Sequence, residues 1–415
     1  MNKIKNIFKT PMLAVFVIIC LTLLPNAVNM ESAVFRSAIV VGFGMDYSEQ
    51  NGYEIHAAIN VSATDESLSE NTKLVSATGG SVSEAISHLS VQFGRAIKFG
   101  HTRYLLVGRK LAEQNLAVII DGIIRTNKMR DTVQLVLCDS SIVEMLNAGI
   151  EIKNKTGIKL SDIITYKSKF STVAMDSNVD TFYKGYFSGS GISKIGCVSL
   201  TDDLTKGITP EASLGDATSP VAPDAGNEDS KSGGEQKKKY ISSIGEIAIF
   251  KNGRLVDIVD EKIADGSQWI HSSFLPKKLD IDVSNEELKD ARVFFYVLEK
   301  SVSTDVFFYK NIPMMTAKID VTLGIDEILT ANGEIIPLNQ DIVDQDVKCQ
   351  IGRKIREETA SVQQYAQNSG YDILELNEMF YFSAYKQYMD YLKNSSPERF
   401  LQDVQISIDV RVEVI

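Results

Sequence analysis

Apolar and polar residues alternate along several stretches of the chain, and this period of two predicts β-strands. Two such runs, 37–46 and 52–63, flank Asn51-Gly52 and predict a hairpin. A second hairpin is predicted around Asn252-Gly253, because these residues can adopt the positive φ values of a type I′ turn. The segment 404–415 alternates until its final pair, which predicts a half-buried strand. Further strands are predicted over 102–108, 132–138, 292–300, 303–310 and 315–328.

Other stretches carry apolar residues at helical spacing. Ser81 and Glu84 form a capping-box signature, and the apolar positions after them, through Ala96 and Ile97, predict a helix with one buried face. Further helices are predicted over 110–125, after Ser140-Ser141, over 160–173, around Trp269 and over 341–367. The pattern therefore predicts a multi-domain α+β fold with mixed and antiparallel sheets, packed helices, and a long helix and terminal strand in the last domain.

The composition changes between 202 and 239, where Pro, Gly, Ser, Asp and Lys replace large apolar residues. Such a segment cannot bury enough apolar surface to offset the loss of chain entropy, so we interpret it as a disordered linker or insertion. Two or three domains are expected for 415 residues. The predicted division is a signal peptide or signal anchor at 1–29, an α+β region of one or two subdomains at 30–201, the linker, and an α+β domain at 240–415.

The apolar run 12–24 decides how the N-terminus is interpreted. It is about 13 residues long, whereas a helix that spans a bilayer needs roughly 20. Lys3, Lys5 and Lys9 precede it without an acidic residue, which is typical of a secretory signal and predicts that the rest lies outside the cytoplasm. Cleavage near Ala27 and retention as an uncleaved anchor both stay open.

The cysteines give little indication of special chemistry. Cys20 lies in the middle of the apolar run, after Ile18-Ile19, and is a poor candidate for lipid attachment. Cys138, Cys197 and Cys349 are far apart in sequence, so neither a disulfide framework nor a closely spaced metal site is expected. We expect mostly buried, free thiols.

The net charge of −11 argues against a nucleic-acid partner and against a polybasic attachment to lipid. The basic cluster Lys237-Lys238-Lys239 borders the predicted linker, and we interpret it as a solvated linker end. No nucleophile elbow, phosphate-binding loop, dinucleotide fingerprint or zinc pattern occurs in the sequence. We therefore assign no catalytic, cofactor-binding or metal-binding residue and expect a protein that is not an enzyme.

Individual polar residues are interpreted in structural terms. His56, His88, His101 and His271 are isolated in sequence, and His101, the most tempting base, is expected to be a strand-edge residue bonded to the backbone. Asp162 is interpreted as a helix-start residue, and Glu357-Glu358 as part of a solvated helix face. Aromatic residues cluster on two predicted strands and are expected in a core or interface: Phe294, Phe295, Tyr296, Phe307, Phe308 and Tyr309.

The order of several segments is characteristic. The first predicted strand ends in Gly44-Met45-Asp46, and the block 99–138 reads Gly-His, strand, helix, charged turn, strand. The later segments are the hairpin in 245–270, the helix from 341, the segment 369–392 and the alternating last strand. In this order they resemble the Ger(x)C family of spore germination proteins, the C subunits of nutrient germinant receptors in endospore formers.

The sequence departs from the pattern of this family at two places. Family members usually carry a lipobox cysteine followed by Trp-Asp before the first strand, whereas the matching stretch 27–30 has neither cysteine nor tryptophan. The family often has glycines after the position of Asp372, where this chain has Glu375 and Asn377. We therefore expect retention by the uncleaved apolar segment or by partners, and a local turn that differs.

The resemblance implies a three-domain α+β protein on the extracytoplasmic face of the spore inner membrane. It implies multi-spanning receptor subunits of the A and B types as partners, with no cofactor and no catalytic residue. The expected function is a non-catalytic, membrane-associated subunit that scaffolds the receptor or couples nutrient sensing to germination. The alternatives are an exported solute-binding protein, which has two similar lobes of mainly parallel strands, and a secreted hydrolase, which needs a nucleophile with its base or a metal set.

Overall fold

The computed structural model describes residues 37–61, 71–156, 159–164, 177–201, 240–242, 246–271, 278–283, 291–330, 332–337 and 343–415. The predicted signal segment with Cys20, the linker 202–239 and most of the predicted helix 160–173 lie outside these residues.

The first sheet has ten strands. They are β1 (Ser37–Ser48), β2 (Gly52–Val61), β3 (Asn71–Gly79), β4 (Ala96–Lys98), β5 (Tyr104–Gly108), β6 (Gln134–Cys138), β7 (Ile192–Thr201), β8 (Tyr240–Ser242), β9 (Ile247–Lys251) and β10 (Arg254–Val259). The main order is β10-β9-β7-β6-β5-β1-β2-β3, with β4 beside β1 and β8 beside β7. Strands β1, β5, β6 and β7 run parallel, and antiparallel strands flank them on both sides, so the sheet is mixed.

Helices cover both faces of this sheet. They are α1 (Val82–Phe93), α2 (Arg109–Ala112), α3 (Leu116–Asn127), α4 (Ile142–Thr156) and α5 (Val179–Phe187). On β5, Leu105 and Val107 pack in the core with α1, α2, α3 and α5, whereas Tyr104 and Leu106 pack in the core with α4 and the segment 159–164. Strands β5 and β6 are almost wholly apolar, as expected for strands that are buried on both faces.

The second sheet has four strands, β11 (Lys278–Val283), β12 (Ala291–Tyr309), β13 (Ile312–Thr330) and β14 (Gln405–Val414), in that order. The helices beside it are α6 (Glu261–Ile270), α7 (Gln345–Ser369), α8 (Leu376–Ser383), α9 (Tyr385–Leu392) and α10 (Pro397–Asp403). They cover one face, and polar residues such as Lys318 and Asp409 lie exposed on the other. The predicted α+β class with mixed sheets is confirmed, as are the long helix and the half-buried last strand.

Both predicted hairpins are present. Strands β1 and β2 pair antiparallel across the turn before Gly52, which has a φ of +72°. Asn252 and Gly253 have φ values of +50° and +79° between β9 and β10, as a type I′ turn requires. The Ser81 side chain accepts a hydrogen bond from the Glu84 N–H and begins α1 as predicted.

The prediction of separate strands at 292–300 and 303–310 is wrong. Strand β12 continues from 291 to 309, and Ser301 and Ser303 pair with Asp320 and Lys318 of β13. The polar interval does not break the strand because one face of this sheet is exposed, so polar side chains are tolerated there.

Two helix predictions also need correction. Ala96 and Ile97 belong to β4 and not to the first helix, since Gly94 ends α1 in the left-handed conformation. The predicted helix 110–125 is two helices, α2 and α3, because the Asn115 side chain accepts a hydrogen bond from the Val118 N–H and begins a new helix there.

The strands that follow the predicted linker join the first sheet. Strand β9 pairs antiparallel with β7, and β8 pairs with the end of β7. The sequence-based boundary at residue 240 therefore does not coincide with the boundary between the two sheets, and the division into domains stays a prediction.

Candidate functional site

The first sheet and the C-terminal helices share one apolar core. Ile192 of β7 and Ile249 of β9 pack in the same cluster as Ile373, Leu374 and Phe380. The alternate residues of these strands, among them Ile195 and Phe250, pack in the core on the opposite face of the sheet. Since domains move freely only across small or polar interfaces, this core favours a fixed arrangement of the two parts.

Lys194 of β7 crosses this junction. Its side chain is only 7% exposed, and its Nζ donates hydrogen bonds to the Ile373 carbonyl at 3.1 Å and to Glu375 Oε1 at 2.6 Å. Burial opposes ionisation of Glu375, but the charge of Lys194, its hydrogen bond and the nearby His271 together outweigh burial, so the pKa of Glu375 lies below its usual value. A charged pair thus links the first sheet to the loop before α8.

A buried polar network holds that loop. The Asp372 carboxylate accepts hydrogen bonds from the backbone N–H groups of Leu376 and Asn377 at 2.8 Å and from Asn377 Nδ2 at 2.7 Å. The Tyr388 hydroxyl donates to Asn377 Oδ1 at 2.6 Å. Burial raises the pKa of Asp372, although these bonds partly offset the effect. The network positions Ile373 and Glu375 to receive Lys194.

Two further basic residues lie at the same place. Lys300 of β12 donates to the carbonyls of Gln268 and His271, each at 2.6 Å, and burial lowers the pKa of Lys300 to about 8. The His271 ring hydrogen-bonds the Ile373 backbone, while its Nε2 has no hydrogen-bond partner in the described part of the chain. Burial and then the charge of Lys194 lower the pKa of His271 to about 4, so the ring is neutral at pH 7. We call Lys194, His271, Lys300 and Glu375 the junction cluster.

Two outer contacts also cross the junction. The Tyr365 hydroxyl of α7 donates to Asp257 Oδ2 of β10 at 2.8 Å. Lys251 Nζ of β9 lies 3.1 Å from Glu398 Oε1 of α10. Together with the junction cluster, these contacts tie β7, β9 and β10 to three different parts of the C-terminal chain.

The sequence-predicted polar residues occupy varied positions. His101 is exposed, and among the described residues it has no hydrogen bond to the backbone. Asp162 lies in the segment 159–164, where it accepts from the Lys159 N–H at 3.4 Å and pairs with Arg103 at 3.6 Å. His56 contacts Ser76 Oγ at 2.8 Å.

The interpretation of Glu357-Glu358 as a solvated pair is wrong for Glu358. Its Oε2 accepts a hydrogen bond from the indole N–H of Trp269 at 2.7 Å, and burial raises the pKa of Glu358. Glu357 is exposed as predicted. The helical period places consecutive residues about 100° apart, so one carboxylate faces solvent while its neighbour faces α6.

The aromatic residues divide between core and surface. Phe295 is fully buried, and Phe308 packs on Phe380, whereas Tyr296, Phe307 and Tyr309 are exposed. Cys138 and Cys197 are buried free thiols and Cys349 is an exposed one, which confirms the prediction for the described cysteines. Within the described residues, no group of three or more His, Cys, Asp and Glu side chains is placed to hold a metal ion.

No sequence motif singles out Lys194 or Lys300 as a functional residue. A usable signal was present for Lys194, because it lies between the apolar residues Ile192 and Ile195 of a predominantly apolar strand, where a buried lysine must find a partner. For Glu375 the sequence provides one indication, namely that it differs from the glycine often found there in the Ger(x)C family. The arrangement holds two parts of the chain together by charge and hydrogen bonds, and it presents no nucleophile with its base.

Comparison with known families agrees with this architecture. Residues 35–195 match the family described as spore germination protein, N-terminal domain, and residues 245–415 match spore germination B3/GerAC like, C-terminal. The chain belongs to the Ger(x)C family of spore germination proteins. The two matches occur in the family's order and together cover most of the chain.

Other comparisons add less. A solved structure titled "Crystal Structure of the GerBC protein" is similar over 90% of this chain and 97% of its own, with 11% identity and a TM-score of 0.48. No curated protein is significantly similar in sequence. Among the described helices, none is both long enough and apolar enough to cross a membrane.

At Glu375, where this chain differs from the usual Ger(x)C pattern, the backbone has an unusual conformation. Glu375 has a φ of +60°, in the left-handed region that favours glycine, and it stands directly before α8. A glycine is therefore the residue that the backbone favours here, while this chain uses a glutamate that pairs with Lys194.

Close packing explains the glycine in the Ger(x)C motif Gly44-Met45-Asp46. A Cβ on Gly44 would overlap Ile142 of α4, and a Cβ on Gly108 would overlap the Asp46 carboxylate. Asp46 accepts from the Tyr47 N–H at 2.8 Å; burial raises its pKa, and the Tyr47 and Leu111 N–H groups partly offset the rise. The motif places a carboxylate at the start of α2.

Proposed function

We propose that this protein is a non-catalytic, membrane-associated subunit of a nutrient germinant receptor, which scaffolds the receptor and couples nutrient sensing to germination. The match of both parts of the chain to the Ger(x)C family carries the proposal. The A- and B-type receptor subunits, both multi-spanning, are its partners, at the extracytoplasmic face of the spore inner membrane.

The geometry of the junction supports a coupling role. A force applied to one part of a chain reaches another part only when the contact between them is stiff and continuous. Here the apolar core shared by β7, β9 and the C-terminal helices is reinforced by the Lys194–Glu375 pair and the Tyr365–Asp257 hydrogen bond. The two parts accordingly act as one body between the receptor subunits.

The test is affinity purification of a C-terminally tagged copy from detergent-solubilised spore membranes, followed by mass spectrometry. A tag after Ile415 suits the fold, because this residue is 54% exposed at the end of β14. An untagged strain and a tagged, unrelated membrane-bound spore protein are the controls. Specific recovery of multi-spanning receptor subunits is the expected result.

The same sample tests retention at the membrane. We expect one of two results. Either the N-terminal peptide of the bait includes Cys20, which means that the apolar segment is uncut, or the chain is processed and its partners hold it at the membrane. Recovery with transporter permeases would instead support a solute-binding protein. A processed chain found free in solution, without partners, would contradict the proposal.

A further inference from the structure

Strand β14 is the outer strand of the second sheet. Among the described strands it pairs with β13 alone, in parallel, from Met314 opposite Gln405 to Leu323 opposite Val414. The pairing runs without a register shift, and the strand contains no proline. Edge strands are usually short, bulged or interrupted by proline or an inward-facing charge, because an open edge pairs readily with other strands. The edge of β14 has none of these protective features.

The backbone of β14 directs hydrogen-bonding groups away from β13. The Ile415 N–H donates to the Leu323 carbonyl at 2.9 Å, so Ile415 directs its own N–H and C=O toward β13. Successive residues of a strand direct these groups to opposite sides, so every second residue back from Val414 directs them outward. The outward-directed residues are Ile406, Ile408, Val410, Val412 and Val414.

The side chains of these five residues are only partly covered. They lie on the face of the sheet that the helices cover, and each remains partly exposed. Their neighbours on β13 are all buried: Met315, Ala317, Ile319, Val321 and Leu323. A further strand beside β14 would remove apolar surface of these five side chains from water, as β14 does for β13.

The charges on the opposite, exposed face favour a second copy of the same strand. Within one chain, Asp409 pairs with Lys318 and Arg411 pairs with Asp320. If two copies of β14 run antiparallel with Val410 opposite Val410, Asp409 of each copy lies opposite Arg411 of the other. The charges across the joined strands then alternate in sign, and unlike charges directly opposite stabilise a strand pair.

The neighbouring registers are less favourable. Moving the centre by one residue places Asp409 opposite Asp409, or Arg411 opposite Arg411, and like charges directly opposite are destabilising. A centre at Val412 pairs Arg411 with Glu413 but leaves the first half of the strand unpaired. The register centred on Val410 is the one that combines unlike charges with pairing along the whole strand.

We propose that β14 pairs with β14 of a second copy of this chain, antiparallel about a two-fold axis at Val410. The two four-stranded sheets then form one continuous sheet. The pairing supplies about ten backbone hydrogen bonds, which is as many as a typical protein interface contains. Since a two-fold axis uses the same surface on both copies, the assembly closes as a dimer. The proposal goes beyond the receptor role and does not depend on it.

The test is sedimentation equilibrium of the purified full chain in density-matched detergent. Wild-type protein should form a dimer with a Kd below about 10 µM. Asp409→Arg places an arginine opposite Arg411, and Arg411→Asp places an aspartate opposite Asp409, so each should weaken the dimer at least about tenfold. In an equimolar mixture of the two variants, unlike charges lie opposite each other again. The mixture should recover the wild-type Kd to within about threefold, which a folding defect cannot produce.

Asp305→Arg is the matched control. Asp305 is exposed on β12, two strands in from β14, and reversing its charge should change the Kd less than about twofold. Circular dichroism of each variant checks folding. Hydrogen exchange of the wild-type protein needs no substitution: the amides of 404–415 should exchange more slowly as the protein concentration rises, because the outward N–H groups become bonded.

Three results would overturn the proposal. The first is a wild-type chain that stays monomeric at about 100 µM, which would mean that another protein's strand or none occupies this edge. The others are equal weakening by Asp305→Arg and Asp409→Arg, and a mixture that does not recover the affinity. Because the measurement uses the isolated chain, failure here leaves the receptor proposal intact, and failure of the co-purification leaves this one intact.

Discussion

Lys194 Nζ lies 2.6 Å from Glu375 Oε1, although the two residues belong to the first sheet and to the C-terminal helical region. The lysine is almost wholly buried and the glutamate is about half exposed. The pair therefore joins the two matched segments of the chain at a place where water competes weakly for the lysine.

We expect Lys194→Met to lower the free energy of unfolding by about 2 kcal/mol. The methionine preserves most of the apolar stem, but the Ile373 carbonyl and Glu375 lose a charged donor on which they rely. Lys251→Met is the matched control, since the Lys251–Glu398 pair is more exposed, and it should cost less than about 1 kcal/mol. Urea unfolding followed by circular dichroism measures both; equal costs would show that burial of Lys194 contributes nothing.

The left-handed backbone of Glu375 gives a second prediction. Glu375→Ala removes the ion pair and keeps the unfavourable φ, whereas Glu375→Gly removes the ion pair and relieves the backbone. The glycine variant should be more stable than the alanine variant by about 1 kcal/mol. The same difference should persist when Lys194→Met is added, because it arises in the backbone. An alanine variant as stable as the glycine variant would refute this explanation.

Glu358 gives a pH-dependent prediction. Because burial raises its pKa above 4.5 in the folded protein, the folded state favours the protonated carboxyl. Ionisation of Glu358 therefore lowers the stability of the wild-type protein as the pH rises through the raised pKa. Glu358→Gln keeps an acceptor for the Trp269 indole and removes the titration, so its stability relative to wild type should improve between pH 4.5 and pH 7.

Trp269 is the one tryptophan in the chain and is buried, so its fluorescence reports unfolding of this region directly. The exposed neighbour supplies the control, and Glu357→Gln should give a difference from wild type that hardly varies with pH. A flat difference for Glu358→Gln as well would contradict the assignment.

Two glycines in the first region should respond in opposite directions to the same substitution. Gly108→Ala forces a methyl group against the Asp46 carboxylate and should cost about 1–3 kcal/mol. Gly122 lies exposed in α3 with open space around it, so Gly122→Ala should stabilise the protein by about 0.5–1 kcal/mol. Thermal unfolding of the two variants checks the signs; destabilisation by both would mean that overlap with Asp46 is not the cause.

Local patterns predicted the fold class and many of its elements. Asn252-Gly253, Ser81 with Glu84, and the strict alternation from Gln405 each carry their information within a few residues, so sequence alone was sufficient. The errors in helix boundaries arose where a single residue ends or restarts a helix. Gly94 and Asn115 are such residues, and their terminating role was outweighed by apolar spacing that continues beyond them.

Local patterns could indicate that Lys194 needs a partner, but they could not indicate which residues form the junction cluster. Lys194 and Glu375 are brought together by strand pairing between β7 and β9 and by the packing of α8, which no periodicity encodes. The burial of Glu358 depends likewise on the approach of α6 to α7. The proposed function rests on the family match and not on any single residue.

The most direct test of a coupling role is germination of spores whose chromosomal copy carries Lys194→Met, measured as the fall in optical density after addition of a nutrient mixture that germinates wild-type spores. Spores with Lys251→Met and with wild-type protein are compared at equal protein level. We predict that Lys194→Met slows germination at least about tenfold while receptor subunits still co-purify, and that Lys251→Met germinates as wild type. Normal germination of Lys194→Met spores would contradict coupling through this junction.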